Sequence, residues 1–198
     1  MMDHEFLFPT NIFLKNNAYQ NPNELKQLMI NEYQKDKAQW QSGPDLYTKK
    51  EYRKFVDVVL QNTKYILDIL KYSYEGFRIT DMWSNILKPG EMHRPHTHAN
   101  NFLSGVYYPY AEEAPGIVFV DPRPAFSVIK PNKIENTKYN SDVYEYSVIT
   151  NKMIIFPSWL QHYVPTNTSK SNRFSIAWNI QVKGKVGRSI DFQSAEFI

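Results

Sequence analysis

From residue 77 to the end, short aromatic and β-branched runs alternate with Pro, Gly and Asn punctuation. The runs cover 78–87, 103–108, 117–120, 125–129, 143–149, 153–156, 162–164 and 173–182. Each is too short to be a helix of ordinary length, and each is bounded by residues that favour turns. Strands of this kind cannot bury an apolar face singly, so they predict an antiparallel sandwich or barrel. The polar stretch 130–141 is expected to be a long exposed loop.

The last run restricts the architecture further. In Arg173-Phe174-Ser175-Ile176-Ala177-Trp178-Asn179-Ile180 the even positions are large and apolar, and the odd ones polar or small. Period-two alternation puts Phe174, Ile176, Trp178 and Ile180 on one face and Arg173, Ser175, Ala177 and Asn179 on the other. On composition alone the second face is either solvent-exposed or the lining of a polar cavity.

Residues 1–76 have a different texture. A loosely alternating stretch, 6–14, reads as a strand interrupted by Pro9. Asn21, Pro22 and Glu24 then mark a helix start, with Leu25, Leu28, Met29 and Tyr33 following at helical spacing. Thr48-Lys49-Lys50-Glu51 has the capping-box pattern and opens a second helix. Its apolar stripe is Tyr52, Phe55, Val56, Val59, Ile66, Leu67 and Leu70, and Gly76 is expected to end it. Both helices have a polar face, so they should pack on the outside of a sheet.

Composition excludes several kinds of chemistry. The chain has no cysteine, which removes disulfides, Cys-based zinc sites, iron–sulfur clusters and thiol nucleophiles together. A metal would have to be held by His, Asp or Glu. The net charge of +3, with no long basic run, gives no indication of a nucleic-acid partner. No stretch approaches the roughly 18–20 apolar residues that span a bilayer. Met1-Met2-Asp3-His4-Glu5 has no basic start followed by a long apolar run, so a signal peptide is not expected. A soluble cytoplasmic protein is the expectation, with all 198 residues in one domain: 1–76 as support and 77–198 as β core.

There are five histidines: His4, His93, His96, His98 and His162. On a strand, His96 and His98 would project to one side, and neutral imidazole suits iron, zinc or copper. A lone H-x-H is weak evidence by itself. It gains weight from the order downstream. The apolar strand Met153-Ile154-Ile155-Phe156 and a Pro157-led turn deliver His162, and Arg173 follows eleven residues later.

That order resembles the iron(II)/2-oxoglutarate-dependent oxygenase superfamily, and within it a group of small oxygenase-like proteins of bacteria and phages. The segments carrying the resemblance are Trp83-Ser84-Asn85, Pro95-His96-Thr97-His98, Leu103-Ser104-Gly105-Val106-Tyr107-Tyr108, Ile155-Phe156-Pro157-Ser158-Trp159 with His162, and Arg173-Phe174-Ser175-Ile176. The opening Leu7-Phe8-Pro9-Thr10 is similar as well. The resemblance implies a mainly β fold, a double-stranded β-helix (jelly roll) buttressed by the N-terminal helices. It implies Fe(II) held by His96 and His162, with His98 at a position usually taken by a carboxylate. His93, Asn100 or water remain alternatives for the third ligand. Arg173 and Ser175 are expected to hold the distal carboxylate of 2-oxoglutarate, Tyr108 to donate to it, and Asn85 and Asn179 to line the pocket. The implied reaction is hydroxylation of a substrate C–H with conversion of 2-oxoglutarate to succinate and carbon dioxide.

Three other readings stay open at this stage. One is a cupin-like three-histidine metal enzyme that does not use 2-oxoglutarate. Another is a non-catalytic jelly-roll binding or structural module. The third is a structural zinc site, although such sites usually include Cys. The sequence identifies no prime substrate and leaves homo-oligomerisation open. Residues 112–115 and 121–124 are candidates for shaping a pocket mouth.

Overall fold

The computed structural model describes residues 2–34, 37–123, 128–188, 190 and 192–197. Two antiparallel sheets face each other, with helices covering the outside of one. The larger sheet is built around β10 (Arg173–Val186), the longest strand, which pairs with β5 (Leu103–Tyr110) on one side and β3 (Gly76–Leu87) on the other. β8 (Lys152–Pro157) and β1 (Phe13–Lys15) continue beyond β5, and β2 (Trp40–Gln41) pairs with β3 at the opposite edge. The smaller sheet has the order β4 (His93–His96), β9 (His162–Val164), β6 (Ile117–Val120), β7 (Val143–Tyr146). A short β11 (Ala195–Phe197) pairs with the end of β10. Alternation of chain between the two sheets gives the double-stranded β-helix anticipated above.

The alternation along β10 determines which side is which. Phe174, Ile176, Trp178 and Ile180 are all buried against the helices α1 (Pro22–Glu32) and α2 (Arg53–Leu70). Phe55 of α2 sits at the centre of that core, edge-on to Trp178 with ring centroids 5.9 Å apart and tilted against Tyr107 at 5.0 Å. Burying a side chain of that kind contributes about 1.5–3 kcal/mol. A second core fills the space between the sheets and includes Val106, Tyr108, Ile117, Phe119, Ile154 and Phe156. Successive tyrosines of β5 therefore diverge: Tyr107 points into the helix core, Tyr108 between the sheets.

Several local expectations are corrected. The N-terminal strand is confined to Phe13–Lys15, and residues 6–12 form none. Asn21 precedes α1 but makes no side-chain cap. Thr48 does not cap α2: its hydroxyl donates to the Asp45 carbonyl at 2.8 Å, and two 3-10 turns, Leu46–Thr48 and Lys50–Tyr52, come first. Those turns bury Leu46 and Tyr52, a tertiary gain that overrides the local capping pattern. The helix ends at Lys71 in the left-handed conformation, φ 58°, and Gly76 instead begins β3. Of the predicted strand 125–129, residues 125–127 lie outside the described residues, and Val128 and Ile129 form a bend. β7 stops at Tyr146, short of 149, while 130–141 is the exposed loop expected. No helix among the described residues is long and apolar enough to cross a membrane.

Candidate metal centre

β4 is a strand that periodicity does not reveal, because Pro95 interrupts it. It is tolerated there because β4 is the edge of its sheet, with an irregularity between His93 and His96. Its pairing with β9 puts His96 directly opposite His162, ring centroids 4.4 Å apart. His98 lies beyond the strand end, so it does not arrive by strand alternation. Its backbone N–H donates to the Ser158 carbonyl at 3.0 Å, and that turn brings its ring within 5.1 Å of both other rings. One ring nitrogen from each of His96, His98 and His162 lies within 4.8 Å of the others. The Nε2 atoms of His98 and His162 are 3.3 Å apart. Two nitrogens each about 2.1 Å from one ion, at octahedral to tetrahedral angles, would be about 3.0–3.4 Å apart. The donor set therefore fits a single transition-metal ion.

Hydrogen bonding selects the tautomers such an ion needs. His96 Nδ1 is 2.7 Å from the Arg94 carbonyl and His162 Nδ1 is 2.9 Å from the Leu160 carbonyl. A carbonyl can only accept, so each Nδ1 carries the proton and each Nε2 keeps its lone pair. Burial, first among the causes, lowers the His162 pKa to about 3, despite the opposing Leu160 bond. His98 is lowered to about 4 by burial and then by His96, with Asp81 acting in the opposite direction. Both rings are neutral at pH 7, the form that ligates metals. The cluster contains no carboxylate.

Arg173 opens β10 on the cavity side, and the exposed alternative for that face is excluded because it is only 2% exposed. Its Nη2 donates to the Tyr108 hydroxyl at 3.2 Å, and its guanidinium carbon lies 4.7 Å from the centroid of that ring. Burial pulls its pKa below the usual arginine range, and burial likewise raises that of Tyr108. Its Nε has no hydrogen-bond partner, and it forms no ion pair among the described residues. Ser175 and Asn85 face each other across β10 and β3, close by in the same cleft.

The three imidazoles, Arg173, Tyr108, Ser175 and Asn85 all line one cleft of about 720 Å³. None of its described lining residues is Asp or Glu. His93 lines it too, outside the imidazole cluster, with a pKa lowered to about 4 by burial and then by Arg173 and His96. Two expected residues lie elsewhere. Asn179 accepts from Ser104 at 2.8 Å rather than lining the cleft, and Asn100 occupies a turn at φ 62°. The described residues of 112–115 and 121–124 do not line it either. Sequence reasoning missed the wall formed by Gln39, Trp40 and Gln41, and the positions of Met92 and Arg94. Two-residue β2 carries no periodic signal by which that wall could have been found.

Comparison with known proteins places the fold. The protein's fold matches HygX of Streptomyces hygroscopicus with iron bound (TM-score 0.60, 10% identity, 87% of this chain and 82% of that one). It also matches a prolyl hydroxylase of Trichoplax adhaerens in complex with a hypoxia inducible factor peptide fragment (TM-score 0.60, 15% identity, 86% and 83%). A third match is the viral collagen prolyl hydroxylase of Paramecium bursaria Chlorella virus-1 in its 2OG complex (TM-score 0.56, 13% identity, 85% and 94%). At these identities the likeness establishes the fold, that of the 2-oxoglutarate-dependent oxygenases. Among curated proteins, none matches the sequence significantly. The family described as "Putative 2OG-Fe(II) oxygenase" matches residues 81–179, half of the chain, and the protein belongs to that family.

Proposed function

We propose that the protein is an Fe(II)- and 2-oxoglutarate-dependent dioxygenase that hydroxylates a C–H bond of a substrate still to be identified. The observation that carries this is Arg173: a buried cation with an unpartnered Nε, in a cleft with no Asp or Glu among its described lining residues and shared with three converging imidazoles. A buried charge without a counter-charge is costly, and a carboxylate ligand would relieve that cost. The guanidinium fork matches a carboxylate bidentately.

In this reading His96, His98 and His162 hold the metal through Nε2, two of them oriented by the Arg94 and Leu160 carbonyls. Arg173 takes the distal carboxylate of 2-oxoglutarate. Tyr108, held against the guanidinium, and Ser175 complete that end of the cleft, and Asn85 offers a further amide. When bound, Fe(II) with 2-oxoglutarate supplies the oxidising chemistry, with release of succinate and carbon dioxide. The protein's part is to orient the co-substrate, to keep His98 and His162 neutral by burial, and to exclude water with Phe156, Ile117 and Val164. His98 in place of a carboxylate also supports a second reading, a three-histidine metal enzyme that needs no 2-oxoglutarate.

Incubation with Fe(II), 2-oxoglutarate and dioxygen, with succinate as readout, separates the two. Slow substrate-independent succinate formation by wild type, lost in His162→Ala and Arg173→Ala, is expected. Metal-loaded wild type that forms no succinate and leaves 2-oxoglutarate unbound would sink the first reading.

A further inference from the structure

His98 is the least supported of the three imidazoles by backbone structure, since it lies past the end of β4 with no ladder of its own. Ser158 grips it: the Ser158 carbonyl accepts the His98 N–H at 3.0 Å, and the Ser158 N–H is tied to Phe102 at 3.1 Å. The Ser158 side chain continues away from the cleft. Its Oγ is 2.8 Å from Ser104 Oγ, and Ser104 Oγ donates to Asn179 Oδ1 at 2.8 Å. Because the Ser104 proton is committed to Asn179, Ser158 must be the donor to Ser104. Asn179 in turn directs Nδ2 at the Asp81 carboxylate, a long contact of 3.5 Å. Ser104, Ser158 and Asn179 are buried, so this chain has a fixed direction and little access to water.

The chain that begins at the His98 backbone ends on the Asp81 carboxylate. Asp81, Trp83 and Asn85 alternate along β3, and the His98 ring packs 5.7 Å from the Trp83 ring. Asp81 is half-buried, does not line the cleft, and is the carboxylate that acts electrostatically on His98, against burial. Holding the His98 backbone in one place favours the bound state, because partners that orient a ligating histidine raise metal affinity.

We infer that Asp81 is a positioning residue for His98, anchoring through the Asn179–Ser104–Ser158 chain the turn that holds the third imidazole. This rests on the reading of His96, His98 and His162 as a metal centre. It concerns how the third imidazole is fixed and does not depend on 2-oxoglutarate.

The test is an anaerobic Co(II) titration of the metal-free, full-length protein, followed by visible absorption, with thermal melts of the metal-free forms alongside. Asp81→Asn should weaken Co(II) binding about 10- to 100-fold, the range for outer-sphere partners of metal-ligating histidines. It should also change the band envelope while leaving the metal-free melt unchanged. Asp81→Glu should recover most of the affinity. Ser104→Ala, which breaks the chain without touching the carboxylate, should give a smaller loss of the same kind, and it serves if Asp81→Asn does not fold. Wild-type affinity and spectrum in both Asp81→Asn and Ser104→Ala would overturn the inference. So would a lowered metal-free melt in Asp81→Asn with no recovery in Asp81→Glu, since that is a purely structural role. Wild type that takes up no Co(II) would instead overturn the metal-centre reading on which this rests.

Discussion

Replacing Tyr108 and Arg173 together by Phe and Met should make the ligand-free protein more stable while destroying its response to 2-oxoglutarate. Wild type keeps a guanidinium at 2% exposure with no ion pair among the described residues and with Nε unpartnered. The desolvated charge costs several kcal/mol and the orphan donor about 1–3 kcal/mol. Against this stand one hydrogen bond to Tyr108, worth about 1.5–3 kcal/mol, and a cation–π contact worth about 0.5–2 kcal/mol. The balance favours the apolar pair by about 2 kcal/mol. Changing both residues matters, because Arg173→Met alone strands the buried Tyr108 hydroxyl. For a chain of this size about 2 kcal/mol corresponds to about 4–8 °C in melting temperature. The assay is a thermal melt with and without 2-oxoglutarate. At a hundredfold excess over its Kd, the ligand should stabilise wild type by about 2.7 kcal/mol and leave the double variant unmoved. A double variant that melts below wild type would refute the reasoning, because the cleft would then already compensate the guanidinium and have no need of an anion.

Other expectations follow from single contacts. Gly105→Ala would put a methyl into the Trp178 indole on the helix side of β5, so a loss of about 1–3 kcal/mol or more is expected in urea unfolding. Lys71→Gly relieves a non-glycine residue at φ 58° and should stabilise by about 0.5–1 kcal/mol in the same experiment. His96→Ala removes an exposed ring, so the metal-free melt should be unaltered, while the rise expected of wild type with saturating Ni(II) should be absent. Phe55→Ala, at the junction of α2 with Trp178 and Tyr107, should cost about 3–5 kcal/mol without changing metal affinity in the folded fraction.

What was legible in the sequence is what local periodicity encodes. The alternation along β10 separated Phe174, Ile176, Trp178 and Ile180, which lie in the helix-side core, from Arg173 and Ser175, whose face the pattern left open between solvent and cavity and which line the cleft. The histidine order and Arg173 identified the elements that meet at the cleft. The misplaced features depend on partners distant in sequence. Thr48 carries a capping pattern, but burial of Leu46 and Tyr52 through two 3-10 turns overrides it. β4 is hidden by Pro95 and exists because β9 pairs with it. His98 reaches the other imidazoles through a turn held by Ser158, sixty residues away, rather than through strand alternation. Asn179 sits on the polar face as expected, yet register places it against Ser104 and Asp81 instead of in the cleft.

The most direct test of the central claim is an anaerobic titration of 2-oxoglutarate into the Fe(II)-loaded protein, followed by its visible charge-transfer absorption. The account predicts a saturable band in wild type that is absent from His162→Ala, and that in Arg173→Ala appears only at far higher 2-oxoglutarate concentration. Tight Fe(II) binding without any such band at saturating 2-oxoglutarate would contradict it, leaving a three-histidine metal protein whose buried arginine serves another anion.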